Sequence, residues 1–146
     1  AYQIYETHFE DQQLILAGIS HNGVILAKRI REELERISGI EVIFIKISLD
    51  KKKPINPIVL SRKLEICEKK SVVVVDDVLN TGSTLIYAVT HFLTIKLKKL
   101  QTAVLVNRNH KNFPIKGDFK GISLSTSIKE HVVVEFGDNE GVYLRE

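Results

Sequence analysis

The 146-residue chain is 44% hydrophobic and 27% charged with a net charge of +3, the balance of a soluble globular protein with room for one core and little for a second. So small a positive excess suits anionic small ligands and does not by itself argue for nucleic acid, while no apolar run approaches the ~20 residues of a membrane span. Cys67 is the only cysteine, so no internal disulfide can form, and none of the five histidines has the spacing of a zinc site. No signal peptide is visible, which makes the cytoplasm the default location. The chain begins at Ala1 and contains no methionine, so a leading segment is expected to precede it.

Ala1, Ile4, Tyr5 and His8 recur at helical spacing and read as the tail of an amphipathic helix. Residues 14–17 predict a short buried strand, and GISHNG, residues 18–23, the loop that follows it. Gly18 and Gly23 permit close backbone approach there, and the amides between them can hold an anion. Residues 24–37 form an amphipathic helix, with Leu26, Ala27, Ile30, Leu34 and Ile37 on one side and a mostly charged opposite face. Gly39 ends it.

Residues 42–47 predict a second strand. The segment after it, 48–56, carries Asp50, Lys51, Lys52, Lys53 and Pro54; a polar excursion of this kind is either a mobile lid or a surface loop. A helix is expected over 58–70, with Leu60, Leu64 and Cys67 on its apolar face, so Cys67 reads as core.

The stretch 72–84, VVVVDDVLNTGST, organises the rest. Four consecutive valines have no polar face, the mark of a strand covered on both sides in a parallel sheet. The run is expected to stop at Asp76 and Asp77, and Asn80, Thr81 and Gly82 then turn the chain into a helix that Ser83 and Thr84 can cap. Such a turn offers unpaired amides and the positive end of the helix dipole to a phosphate. Two carboxylates beside it would repel that phosphate, so they must serve sugar hydroxyls or a magnesium ion. The pattern points to a phosphorylated ribose. There is no GxxxxGK[ST] and no GxGxxG, which argues against a P-loop or a dinucleotide site.

A helix over 85–97 is apolar on more than one stripe, so it can pack on the sheet with one side and on another subunit with the other. Residues 102–106 and 132–136 predict further strands. Between them, 107–127 is rich in Gly, Lys, Asn and Ser, with Phe113, Pro114 and Phe119 interspersed, and reads as a small hood over the crevice. The strand and helix alternation argues for a doubly wound α/β sheet with its ligand at the carboxyl ends of the strands.

VVVVDDVLNTGST resembles the 5-phosphoribosyl 1-pyrophosphate (PRPP) motif of type I phosphoribosyltransferases. AGISHNGVILAKRI and AVLVNRNHKNFPIKGDFKGISLSTSIKEHVVV extend the likeness over most of the chain, which is similar to the uracil phosphoribosyltransferase and pyrimidine-operon attenuation family in particular. The resemblance implies the fold of that family: a mostly parallel five-stranded sheet, a hood near residues 107–131 and a mobile loop near 48–57, all in one domain spanning 1–146. It implies PRPP-dependent transfer of phosphoribose to uracil, giving uridine monophosphate and pyrophosphate, by a homodimer or larger oligomer.

Residue by residue, the resemblance assigns Asp76 and Asp77 to the ribose hydroxyls and magnesium, as the catalytic pair. Asn80, Thr81, Gly82, Ser83 and Thr84 fall to the 5-phosphate, Ser20, His21, Asn22 and Gly23 to pyrophosphate, and Val106, Asn107 and Arg108 to the base. The segment at 48–57 becomes a lid that shields a ribosyl cation from water, its lysines facing pyrophosphate. Phe119 either touches the base or packs in the hood. Two departures stand out. Relatives commonly carry Thr-Arg-Gly where this chain has His21-Asn22-Gly23, which removes a guanidinium able to fork onto pyrophosphate. His21 either supplies part of that charge when protonated or is a solvated loop residue. Asn107 stands where Asp is usual. Three rival readings follow: a purine phosphoribosyltransferase, a PRPP- or nucleotide-sensing regulator that binds RNA, and a degenerate relative with a structural role. The net charge does not promise RNA binding.

Overall fold

The computed structural model describes residues 1–145. Its elements are α1 (Tyr2–His8), β1 (Gln13–Ile19), α2 (Asn22–Ile37), β2 (Glu41–Ser48), β3 (Val59–Leu60), a 3-10 turn (Leu64–Cys67), β4 (Ser71–Leu79), α3 (Ser83–Phe92), β5 (Lys99–Arg108), β6 (Phe119–Leu124), β7 (His131–Glu135) and β8 (Gly141–Arg145). The main sheet has the order β3-β2-β1-β4-β5-β6. Every neighbouring pair is parallel except β2 with β3. β7 and β8 form a separate antiparallel hairpin.

Side chains alternate across the sheet, and both faces are covered. Val72 and Val74 of β4, with Ile15, Ala17 and Ile19 of β1, pack under Leu85, Ala88 and Phe92 of α3. Val73 and Val75, with Leu14 and Leu16, pack instead against Ala27 and Leu34 of α2 and Ile4 of α1. All four valines are fully buried. Each such side chain contributes about 1.5–3 kcal/mol relative to exposure. A valine run therefore suits this position, because neither pleat of β4 meets water.

The sheet differs from expectation at its edges. It has six strands rather than five: the sixth, β6, lies within the residues read as hood, whereas the strand foreseen at 132–136 belongs to the hairpin. β4 does not stop at Asp76 but runs on to Leu79, because β5 keeps pairing with it through Val78↔Val106 and Leu79↔Asn107. No helix forms over 58–70. Val59 and Leu60 pair with Ser48 and Ile47 on the open edge of β2, and only Leu64–Cys67 coils, as a 3-10 turn. Two adjacent β-branched residues, Ile58 and Val59, beside an available strand edge outweigh a helical apolar spacing. The core reading of Cys67 holds: it is fully buried, and burial pushes its thiol up to about 11. α3 ends at Phe92 rather than 97 and leaves Leu93 exposed.

Chain order places β2 and β4 on opposite sides of β1, so the winding direction reverses between β1 and β4. In open α/β sheets a crevice forms at the carboxyl ends of the strands at such a reversal. Residues 20–23 and the acid pair of β4 both lie there.

Candidate active site

Two strand-to-helix junctions meet at this crevice. At the first, Gly23 lets the start of α2 press onto β4: a Cβ there would lie 2.6 Å from Val75 O and 3.2 Å from Asp76 Cα. Asn22 beside it donates from Nδ2 to Asp77 Oδ2 at 2.8 Å and to Val134 O of β7 at 2.8 Å. One side chain thus ties the loop, the second carboxylate and the hairpin together. Ser20 is half-buried, its N–H bound to Ile47 O at 2.9 Å, while His21 is exposed.

At the second junction, Gly82 adopts φ 85°, a left-handed conformation that side chains disfavour. Any Cβ there would also fall 2.5 Å from Ile115 Cγ2. Thr81 O accepts from the N–H groups of Asn112 and Phe113 at 2.9 and 3.1 Å, which fixes the loop to the hood. Ser83 N–H donates to Thr81 Oγ1 at 3.3 Å. Asn80, Thr81, Gly82 and Thr84 line a small cup of about 50 Å³ that Asp76 also borders. The start of the ten-residue α3 opens beside this cup, so amides and hydroxyls surround a space able to take a phosphate.

Asp76 and Asp77 stand between the two junctions. Successive strand residues ordinarily point apart, yet both carboxylates reach one cation: Lys51 Nζ lies 2.9 Å from Asp76 Oδ1 and 3.5 Å from Asp77 Oδ1. Asp77 N–H also donates to Asp76 Oδ1 at 3.0 Å. Asp76 is 3% exposed. Burial pushes its carboxyl up to about 7, with the neighbouring Asp77 adding to the rise and Lys51 opposing it. Burial acts in the same sense on Asp77, but Lys51 and the Asn22 hydrogen bond outweigh it and hold that carboxyl below its usual range. Lys51 loses to desolvation and gains more from the two acids, so its ammonium is held above the usual lysine value. The pair thus divides its roles, with Asp77 the firmer anion.

An ammonium held between two carboxylates shows that the pair fits a cation. Among the described residues no group of three or more His, Cys, Asp or Glu is placed to hold a metal. A magnesium ion at Asp76 and Asp77 would therefore complete its shell from water and the ligand, as that ion commonly does.

The last residues of β5 serve less openly than expected. Val106 is fully buried. Arg108, 4% exposed, donates from Nε to Thr126 Oγ1 at 2.6 Å, from Nη1 to Asn80 Oδ1 at 3.2 Å and from Nη2 to Ser127 O at 2.8 Å. It braces the hood against the loop at residues 80–84. Asn107 is buried, its Nδ2 3.5 Å from Ser123 Oγ, and its Oδ1 has no partner. A buried acceptor left open is costly, so Oδ1 calls for a donor. A cavity of about 490 Å³ adjoins Asn80 and Thr81 and is bordered by Arg108, His110, Ile128 and His131. Phe119 is buried between β5 and α1, in the core rather than the crevice.

Sequence reasoning singled out neither Ile128 nor His131, although both lie in the stretch that carries the resemblance, and could not single out Lys51 from the lysines that follow it. The signal for Lys51 lay in Asp50. Its side chain accepts from the N–H groups of Lys52 and Lys53 at 2.9 and 3.2 Å, a turn that leaves Lys51 directed at the acids.

A family model described as the phosphoribosyl transferase domain matches residues 1–140. The bifunctional protein PyrR of Lactococcus lactis subsp. cremoris is 34% identical over 146 residues, covering 96% of this chain and 83% of that protein. The PyrR protein of Caldicellulosiruptor bescii is 35% identical over 151 residues, covering 96% and 82%. Among solved structures, the hypoxanthine phosphoribosyltransferase of Trypanosoma cruzi superposes with a TM-score of 0.75 at 16% identity, covering 98% of this chain and 85% of that one. A hypoxanthine-guanine phosphoribosyltransferase of Bacillus anthracis gives 0.67 at 21% identity, covering 85% and 72%. At these identities the structural matches speak to the fold.

Proposed function

Because the chain belongs to the phosphoribosyl transferase domain family, we propose that it transfers the 5-phosphoribosyl group of PRPP to a nucleobase, with uracil the favoured acceptor and uridine monophosphate and pyrophosphate the products. The observation that carries this reading is the convergence of Asp76 and Asp77 beside the cup formed by residues 80–84. Uracil is favoured by the likeness to relatives named pyrimidine operon regulatory protein, from Lactococcus lactis. Hypoxanthine and guanine are the competing acceptors.

In this reading Asp76 and Asp77 take the ribose hydroxyls, and Asn80, Thr81, Gly82, Ser83 and Thr84 hold the 5-phosphate. Ser20, His21, Asn22 and Gly23 face the diphosphate. Asn107 Oδ1, the unpartnered acceptor, takes a ring N–H of the base, and Arg108 holds Asn80 and the hood in register with it. No side-chain nucleophile is needed. The residues act by holding the base nitrogen, C1 of the ribose and the diphosphate in line. A magnesium ion bound with PRPP would offset charge on the leaving group. The assembly is proposed to be a homodimer or larger, with the exposed Leu93 of α3 available to a second chain.

A second reading is a PRPP- or nucleotide-sensing regulator with little catalysis, for which RNA is the partner. It is favoured by the pyrophosphate loop, where Asn22 stands in place of a guanidinium and commits its amide to Asp77 and Val134 O. Pyrophosphate release from magnesium-PRPP, measured separately with uracil, hypoxanthine, guanine, adenine and orotate, tests the two. Release with uracil alone is expected. Silence with every base would overturn the transferase reading, and PRPP binding in that case would favour the regulator.

A further inference from the structure

Lys51 occupies the place where the acid pair would meet a cation. Its segment lies between β2 and β3, away in sequence from both junctions, yet its ammonium is the only basic group within 4.0 Å of Asp76 or Asp77 among the described residues. The side chain is 40% exposed while that of Asp76 is 4% exposed, so the lysine enters from solvent and covers a buried carboxylate. Asp50 organises the approach: Oδ1 takes the amides of Lys52 and Lys53, and Oδ2 accepts from Asn56 Nδ2 at 3.3 Å. The turn is thus built around one aspartate, and it delivers one lysine.

Two carboxylates this close and this buried would be costly with no counter-charge. Lys51 supplies it internally. We propose that Lys51 is a resident counter-ion that closes the acid pair to free divalent metal, so that metal enters only together with a ligand able to displace the ammonium. The chemistry of that ligand is a ribose carrying a diphosphate. Its hydroxyls replace the ammonium at the carboxylates, and its phosphates offer the ammonium a new anion within reach of the same loop. The metal site is therefore gated by substrate rather than standing open.

The proposal rests on the reading of Asp76 and Asp77 as the ribose and metal end of the site, but its test uses no sugar phosphate. Manganese alone is titrated into the full chain, and the loss of its free electron paramagnetic resonance signal reports binding. The native chain and Lys51→Arg are expected to bind weakly. Lys51→Met is expected to bind at least tenfold more tightly, and adding Asp77→Asn to it should erase the gain. Lys51→Gln serves the same purpose should the methionine variant fail to fold. Equal manganese affinity in the native chain and a folded neutral variant would overturn the proposal, as would a gain that survives Asp77→Asn. Neither outcome bears on pyrophosphate release, so failure of the gate and failure of the transferase reading are distinguishable.

Discussion

The two loops that flank the acid pair reach similar places by different means. Residues 80–84 are held mainly by backbone: Gly82 in the left-handed region, Thr81 O bound by two amides of the hood, and α3 starting at Ser83, with Arg108 adding one bond to Asn80 Oδ1. Residues 20–23 depend on side chains, above all the Asn22 amide that bridges Asp77 to β7. A loop built on a glycine turn and a helix start offers backbone amides to an anion, so its positive character does not rest on one charged side chain. A loop whose charge comes from a side chain loses that charge with one substitution. Here the positive group near the acids comes from neither loop but from Lys51, across the crevice.

Breaking the centre of this arrangement should have the largest effect. Asp77→Ala removes the firmer anion and leaves Lys51 and Asn22 without their shared partner. Magnesium-PRPP affinity is expected to fall at least a hundredfold by calorimetry, with a melting transition that stays cooperative. Breaking the backbone-built loop comes next. Gly82→Ala places a methyl group at φ 85° and 2.5 Å from Ile115, which should cost about 1–3 kcal/mol in a denaturant titration. It should also weaken PRPP binding, since the loop must shift to relieve the contact. The smallest effect sharpens the contrast in the opposite direction. His21→Arg adds a guanidinium to the side-chain-built loop at its exposed position, beside the Asn22 that stands where relatives carry arginine, and one charge-assisted contact of about 1.5 kcal/mol should tighten pyrophosphate binding about tenfold. The same change is expected to leave affinity for ribose 5-phosphate untouched.

The interior of the sheet was legible because each signal there is local. Four valines announce a strand with no wet face, and DD followed by NTGST announces the junction after it. The edges were not legible, because their partners are distant in sequence. Whether Val59 and Leu60 coil or pair depends on the open side of β2, and whether β4 continues past Asp76 depends on the length of β5. The same holds for β6, whose Gly- and Lys-containing residues gain strand geometry from β5.

Within the candidate site, the acid pair and the strand-to-helix turn that follows it could be picked out from residue types alone. What the sequence hid was direction. Asp76 and Asp77 alternate along a strand, and nothing in that pattern says that both carboxylates converge on one ammonium. Nor does VNR say that Arg108 turns toward Asn80 and the hood while Asn107 keeps an oxygen unpaired. These facts depend on a third segment in each case, and such segments carry no motif.

The most direct test of the central claim is a calorimetric titration of magnesium-PRPP into the native chain and into Asp77→Ala. The account expects saturable binding of one PRPP per native chain and its loss in the variant. A folded native chain that takes up no PRPP, or a variant that binds it as tightly as the native chain, would contradict the assignment of Asp76, Asp77 and residues 80–84 to this ligand.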